Sequence, residues 1–341
     1  MIHQIISAAG PYDAVTRQAL RYRDLFESWG MAGGVHAAVI EPRATGVAPL
    51  SKLDPAPDDL LLFHYSAYAP KLERLLEAPQ RKLLVYHNVT PARYLWPHHP
   101  HTAVLCELGR DRLPRWARAM DAACAVSEFN AAELREAGAR HVHVVPILFD
   151  PPPARPPREA GAARVLTVGR LAPHKRHDLV IRAFALYQRA HAPEAVLDCP
   201  GEPLTAAYRD WLVALAERAG ARGVDLAGSV GDAVLESLYA RAGAFLMLSE
   251  HEGFCVPLLE AFAEGVPVIA RAAGAMPDVA GNAALWIDGD DPGTIAELIH
   301  LAVGDEELRA ELAARGRARL DEFAPERTAE KLRAAVNAAL E

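Results

Sequence analysis

Short apolar runs alternate with longer amphipathic stretches along this chain, and that alternation restricts it to an α/β architecture with parallel sheets. In the first half the runs fall at residues 2–7, 35–40, 60–64, 83–86, 122–126 and 142–145. A second series occupies 164–168, 196–199, 224–227, 245–248 and 266–270, followed by a helical tail from Asp291. After the first run, Val15, Ala19, Tyr22, Phe26 and Trp29 recur at helical spacing, with Asp13 as a cap and Gly30 as a stop. Between the two series lies a Pro-rich stretch, 150–161, which continues neither element and reads as a semi-rigid linker.

Composition excludes several function classes. With 341 residues and 51% hydrophobic content, the chain can bury two cores of ordinary size. A formal net charge of −8 argues against a nucleic-acid partner, which leaves a basic footprint. The four cysteines (Cys106, Cys124, Cys199, Cys255) are far apart, as in reduced intracellular thiols. No apolar run reaches membrane-spanning length and no signal-peptide pattern opens the sequence, so the expected location is the cytoplasm.

Two segments carry chemistry. The first is Ser249-Glu250-His251-Glu252-Gly253-Phe254-Cys255-Val256-Pro257-Leu258-Leu259-Glu260. A buried strand precedes it, and Pro257 suits a first helical turn. The backbone N–H groups of Gly253, Phe254, Cys255 and Val256 therefore stand where a strand hands over to a helix, a place that favours phosphate. A carboxylate there must face something other than phosphate, so Glu252 suits a sugar hydroxyl and Glu260, further along the helix, a ribose. The second segment runs from Val168-Gly169-Arg170 to Lys175 and Asp178. Gly169 lets backbone approach a ligand, and Arg170 and Lys175, five residues apart, can neutralise a diphosphate. Alone, each segment reads equally as solvated surface; together they describe one anion and sugar site.

These residues, Val168-Gly-Arg-Leu…Lys175…Asp178 and Glu252-Gly-Phe…Pro257…Glu260-Ala…Gly265-Val-Pro-Val, closely resemble the retaining nucleotide-sugar glycosyltransferases of family 4. The resemblance continues through Ala272 to Val279, with Asp278 where the family usually has Glu. It implies the GT-B fold: α/β, two Rossmann-like domains with parallel sheets facing a central cleft. The first, acceptor-binding domain would span 1–150, with a C-terminal helix, 325–341, packing back on it; the donor-binding domain would span 151–324. Residues 85–91 and 126–130 look like a bacterial subgroup that assembles surface polysaccharide and lipopolysaccharide, while the usual Gly-Gly of the first loop is replaced by Ala9-Gly10-Pro11-Tyr12-Asp13.

Carried over residue by residue, the resemblance implies the following roles. Arg170 and Lys175 would hold the donor diphosphate and stabilise the leaving group's charge, in place of a metal. No cofactor is expected, and no Asp-x-Asp triplet suited to bridging a metal to diphosphate is read in the sequence. Glu252 would bind the transferred sugar and Glu260 the ribose, with Gly169, Gly201, Val230, Gly253, Phe254, Cys255 and Val256 also at the donor. Gly10 would approach the phosphates, and His87 would contact the sugar or its anomeric region. The donor would be a nucleoside-diphosphate sugar, with GDP-mannose a family-level expectation, and the acceptor a saccharide or lipid-linked saccharide.

Blander readings stand beside these. Asp13 is equally a helix cap or an acceptor-orienting base, and Asn88 and Thr90 either touch the acceptor or cap the next element. His98, His99, His101, His141 and His143 lack carboxylates or cysteines at ligand spacing and read as surface residues. The stretch Arg110, Arg112, Arg115, Trp116, Arg118 is basic with one aromatic, which suits either a peripheral hold on anionic headgroups or a solvated helix with a packed Trp. A nucleotide-sugar epimerase of the same fold and a non-catalytic nucleotide-sugar-binding subunit are the alternative functions.

Overall fold

The computed structural model describes residues 1–11, 13–152 and 163–341, so most of the Pro-rich stretch read as a linker lies outside the described residues. The described chain divides into two compact units. One comprises Met1–Arg93, Pro100–Leu148 and Phe323–Glu341; the other comprises Tyr94–His99 and Phe149–Glu322.

The first unit is a seven-stranded sheet in the order β3-β2-β1-β4-β5-β6-β7, with every pairing parallel. Its strands are β1 (Ile2–Ala9), β2 (Ala32–Ile40), β3 (Ala48–Pro49), β4 (Leu60–Tyr65), β5 (Arg81–Tyr86), β6 (Ala122–Ala125) and β7 (Val142–Val144). Helices α1 (Ala14–Ser28), α2 (Pro100–Ala119) and α3 (Glu128–Glu136) connect them. In α1 the cap is as the sequence reads: the Asp13 carboxylate accepts from the Thr16 N–H at 2.7 Å. Gly30 then takes φ +70°, the left-handed conformation that ends a helix and suits glycine. Ala19, Tyr22 and Phe26 are buried, and Trp29 lies under the Arg333 guanidinium at 5.2 Å. The final helix, α11 (Pro325–Leu340), packs against β5, β6 and β7.

The second unit is a six-stranded parallel sheet in the order β10-β9-β8-β11-β12-β13. Its strands are β8 (Arg164–Leu166), β9 (Val196–Pro200), β10 (Val224–Gly228), β11 (Ala244–Met247), β12 (Val268–Arg271) and β13 (Ala284–Ile287). Its helices are α4 (His177–Ala190), α5 (Ala206–Ala219), α6 (Asp232–Arg241), α7 (Val256–Ala263), α8 (Met276–Ala280), α9 (Pro292–Gly304) and α10 (Glu306–Leu320). Leu197, Leu246 and Ile269 are fully buried on its strands and meet Val180, Phe184 and Ile299 from the helices. Truncating any of these leucines costs about 2–5 kcal/mol. Sequence reasoning missed β3, which is two residues long, and β13, Ala-Leu-Trp-Ile, which has no Gly or Pro immediately before it.

In each sheet the strand order reverses once, at β1/β4 in the first unit and at β8/β11 in the second. In an open parallel sheet a crevice forms at that reversal, beyond the carboxyl ends of the two strands, and ligands bind there.

Candidate active site

Both sequence segments singled out for chemistry follow the strands flanking the second unit's reversal. Gly169 to Lys175 follows β8, and Glu250 to Cys255 follows β11. This adjacency unites them: Lys175 Nζ donates to Glu252 Oε1 at 2.5 Å, with both side chains largely buried. Burial pulls the Lys175 pKa down, but the Glu252 carboxylate more than offsets this and leaves it above the ordinary lysine value. Lys175 therefore stays charged at any physiological pH. Arg170, by contrast, is exposed and without an ion pair among the described residues, a cation available to an incoming anion.

Backbone geometry fixes the rest of the loop. Glu252 is clamped from the side by the loop after β12: its carbonyl accepts from the Ala275 N–H at 2.9 Å. Gly274 packs so closely that a Cβ there would sit 2.5 Å from the Glu252 carbonyl oxygen, and its φ is +57°. Gly201 is similarly constrained, since a Cβ would fall 1.9 Å from the Gly169 carbonyl oxygen. Cys255 adopts φ +81° at the start of α7, a strained conformation for a residue with a side chain. Its thiol is raised well above the ordinary cysteine value by burial and by Glu252, so it stays protonated.

Glu260, in the second turn of α7, accepts from the Tyr239 hydroxyl at 2.7 Å. Tyr239 is buried on α6, so it braces the carboxylate from behind. Gly253 and Val230 are half-buried and Phe254 is buried, all on loops at the same ends of the strands. Arg176, next to Lys175, joins Asp178, Glu250 and Asp290, and Asp290 also pairs with Arg271. An Asp-x-Asp triplet does occur, Asp288-Gly289-Asp290, but it follows β13, two strands from the reversal, and Asp290 is committed to these arginines. A cavity of about 350 Å³ opens beside this cluster, lined by Tyr94, Glu250, Arg271 and Asp288, and does not include Lys175 or Glu252.

Two buried histidines flank Lys175. His177 begins α4 with neither ring nitrogen hydrogen-bonded among the described residues, and burial, then Lys175, pushes its pKa down to about 3. His174 packs against Tyr94, ring centroids 5.8 Å apart, and burial, followed by Lys175, lowers it to about 2. Both rings are neutral, so the positive charge of this loop belongs to its Lys and Arg residues.

In the first unit the predicted residues gather near the other reversal. Gly10 follows β1 with its N–H donated to Thr16 Oγ1 at 3.2 Å. The Asp13 carboxylate also accepts from the Thr16 hydroxyl, which realises its capping reading. His87 follows β5; burial lowers its pKa to about 4, and its Nε2 lies 2.9 Å from His64 Nδ1. Asn88 takes φ +77° and donates its amide to Asn130 and Glu133, which ties its loop to α3. Thr90 is half-buried in the same loop.

Of the two readings of 110–118, the packed Trp is what the fold contains. Trp116 is 2% exposed and packs against Phe63 and Tyr65, while Arg110 pairs with Glu133 and Arg115 with Glu73. The aromatic belongs to the core, leaving Arg112 and Arg118 as exposed charges on α2. Among the described residues no helix is long and apolar enough to cross a membrane.

Residues missed from sequence are Tyr239, Arg176, His64, Gln4 and Gly274. Only Gly274 left a signal, a glycine following the apolar run at 266–270.

Residues 153–319 match the glycosyl transferases group 1 family. The chain is 37% identical over 121 residues to O-antigen chain mannosyltransferase B of Escherichia coli, covering 34% of this chain and 32% of that protein. It is 34% identical over 174 residues to D-inositol 3-phosphate glycosyltransferase of Salinispora arenicola, covering 48% and 38% respectively. In both, the match spans well under half of the relative's own length. Among solved structures, sucrose-phosphate synthase from Thermosynechococcus elongatus is similar at TM-score 0.77 and 19% identity, over 99% of this chain and 98% of that one. Anabaena HepE in complex with UDP and glucose is similar at TM-score 0.74 and 16% identity, over 99% of both chains. These likenesses establish the fold as GT-B, and the chain carries on it a domain of the glycosyl transferases group 1 family.

Proposed function

We infer that this protein is a retaining glycosyltransferase that moves a sugar from a nucleoside-diphosphate sugar to a saccharide or lipid-linked saccharide in surface polysaccharide or lipopolysaccharide assembly. The observation that carries this reading is the Lys175–Glu252 pair at the β8/β11 reversal, with Arg170 exposed beside it and Glu260 braced by Tyr239. Lys175 and Arg170 would neutralise the departing diphosphate as the glycosidic bond breaks, which is transition-state stabilisation by fixed charge. Glu252 has one oxygen taken by Lys175, leaving the other to accept from hydroxyls of the transferred sugar. Glu260 would accept from the ribose. The Cys255 thiol is protonated, so no covalent intermediate is assigned to it. Attack by the acceptor would come from the leaving-group side, its proton passing to the departing diphosphate. Mannose is the transferred sugar this reading favours, because an O-antigen chain mannosyltransferase and a serotype-specific mannosyltransferase are among the relatives.

A thermal-shift panel of UDP-, GDP-, ADP- and dTDP-sugars tests the reading. A donor at a hundredfold excess over its dissociation constant adds about 2.7 kcal/mol of stability. Selective stabilisation by one nucleotide, lost in Glu260→Ala and in Lys175→Ala, is the expected outcome; no response to any nucleotide from the folded protein would sink the reading. Product analysis with EDTA present and acceptor absent then separates transfer from epimerisation, and the anomeric configuration of the product tests retention.

A further inference from the structure

Three side chains in the first unit form a hydrogen-bonded line from the sheet interior to the loop after β5. Gln4, buried on β1, donates from Nε2 to the Ala19 carbonyl at 2.8 Å. That bond fixes the amide, since the flipped amide would set oxygen against oxygen. Gln4 Oε1 therefore faces His64 Nε2 at 2.9 Å, and an amide oxygen only accepts, so His64 carries its proton on Nε2. His64 is buried on β4 and neutral: burial, and then His87, hold its pKa well below the ordinary histidine value. Its other ring neighbour is Tyr22 on α1, centroids 5.8 Å apart, an uncharged group. A neutral ring protonated on Nε2 presents a lone pair on Nδ1, and that atom lies 2.9 Å from His87 Nε2. The ring centroids are 5.2 Å apart, the separation that a collinear in-plane hydrogen bond of 2.9 Å gives, and the rings are 21° from parallel. His87 must then be the donor, with its proton on Nε2 and a lone pair on Nδ1.

We propose that Gln4 and His64 are positioning residues that lock His87 in its Nε2–H tautomer, so that His87 Nδ1 accepts a hydrogen bond from a saccharide hydroxyl and cannot donate one to a phosphate oxygen. The second half of this statement rests on the glycosyltransferase reading; the tautomer does not. Which ring nitrogen carries the proton is set by the bond the other makes, and here that chain ends at the Ala19 carbonyl. His87 thereby selects for hydroxyl donors, discriminating a sugar from the diphosphate.

The test is a long-range proton–nitrogen correlation spectrum of the full chain labelled with ¹⁵N-histidine, at pH 7.5, with His64→Phe and His87→Ala spectra for assignment. Both His64 and His87 should show protonated Nε2 and unprotonated Nδ1. A protonated Nδ1 on His87 overturns the proposal, and where a variant does not fold, the two rings are assigned in the wild-type protein through correlations from their own backbone amides, so the proposal is still decided. In Gln4→Leu the His64 proton is free to move to Nδ1, and the His87 signals should shift towards the other tautomer; an unchanged His87 spectrum removes Gln4 from the mechanism. With GDP-mannose as the probe, Gln4→Leu should raise KM about tenfold with kcat little changed, the loss of roughly one hydrogen bond. If the tautomer is as stated but neither Gln4→Leu nor His87→Ala alters turnover, the hydroxyl contact is overturned. If no nucleotide sugar binds, the glycosyltransferase reading fails and the tautomer is judged by the spectrum.

Discussion

At the scale of single residues, the Lys175–Glu252 pair serves both stability and binding, and the two uses can be separated. The side chains are 16% and 10% exposed, so removing one leaves the other charge in a poorly solvated place. Lys175→Met alone should cost about 3 kcal/mol, the usual loss when half of a buried pair is deleted. The double variant Lys175→Met/Glu252→Gln carries no orphaned charge and should regain most of that stability while still failing to bind the donor. A double-mutant cycle by chemical denaturation, with nucleotide titration alongside, checks this; a double variant as unstable as the single one would show that the pair is not the source. The raised pKa of Lys175 means its contribution is complete below the unfolded lysine value of about 10.4. It is lost only as pH rises through the higher folded value, so the pair itself adds no pH dependence near neutrality. The two members of this pair were legible in the sequence because residue type and spacing advertised them. Tyr239 was not: a tyrosine inside an amphipathic helix carries no mark of what its hydroxyl meets. Its worth is still measurable, because hydrogen bonds to charged groups contribute about 1.5–3 kcal/mol. Tyr239→Phe should weaken nucleoside-diphosphate binding about tenfold by calorimetry, and should change nothing further when added to Glu260→Ala.

Elements set where those residues meet. The β8/β11 adjacency places Lys175 beside Glu252 across 77 positions of sequence, and no local pattern encodes it. The strands themselves were legible as apolar runs, and so were the α1 cap and stop, because Asp13 and Gly30 act within a few residues of themselves. What escaped the sequence is contact between loops. The loop after β12 presses Gly274 against the Glu252 backbone, and so fixes the main chain from which the carboxylate projects. Gly274→Ala would place a methyl group 2.5 Å from the Glu252 carbonyl oxygen, in a φ range that costs a side-chain-bearing residue about 1–2 kcal/mol. The Glu252 loop must shift, and displacement of a positioning group by about 1 Å can reduce turnover about a hundredfold. The expected variant is folded, melts a few degrees lower, and is nearly inactive. Near-normal turnover by Gly274→Ala would show that the loop tolerates the shift.

For the whole molecule, the response to acid is where the separate units act alike. Each contains buried neutral histidines: His64 and His87 in the first unit, His174 and His177 in the second. Burial is the leading cause for all four, and their folded pKa values lie at about 4 for His87, about 3 for His177 and about 2 for His174. In the unfolded chain each would titrate near 6.5. Between pH 6.5 and the folded values the unfolded state therefore binds more protons than the folded one. Stability contributed by keeping these rings neutral is complete above about pH 6.5 and declines as pH falls towards 4, by about 1.4 kcal/mol per pH unit for each histidine. The carboxylates with depressed pKa values, Asp59, Asp290 and Asp291, act in a lower window: their contribution is present above the unfolded value of 3.8 and is lost only below it. The two windows can thus be told apart. Denaturant midpoints at pH 7.5, 6.5, 5.5 and 4.5 should fall steadily below 6.5, before any carboxylate effect. His177 is the cleanest probe, since neither of its ring nitrogens has a hydrogen-bond partner to lose among the described residues. His177→Leu should keep the stability at pH 7.5 and reduce the slope between pH 6.5 and 4.5 by one proton. A pH-independent midpoint across that range would mean that the buried rings are protonated in the folded protein, which the Lys175 charge beside His174 and His177 opposes.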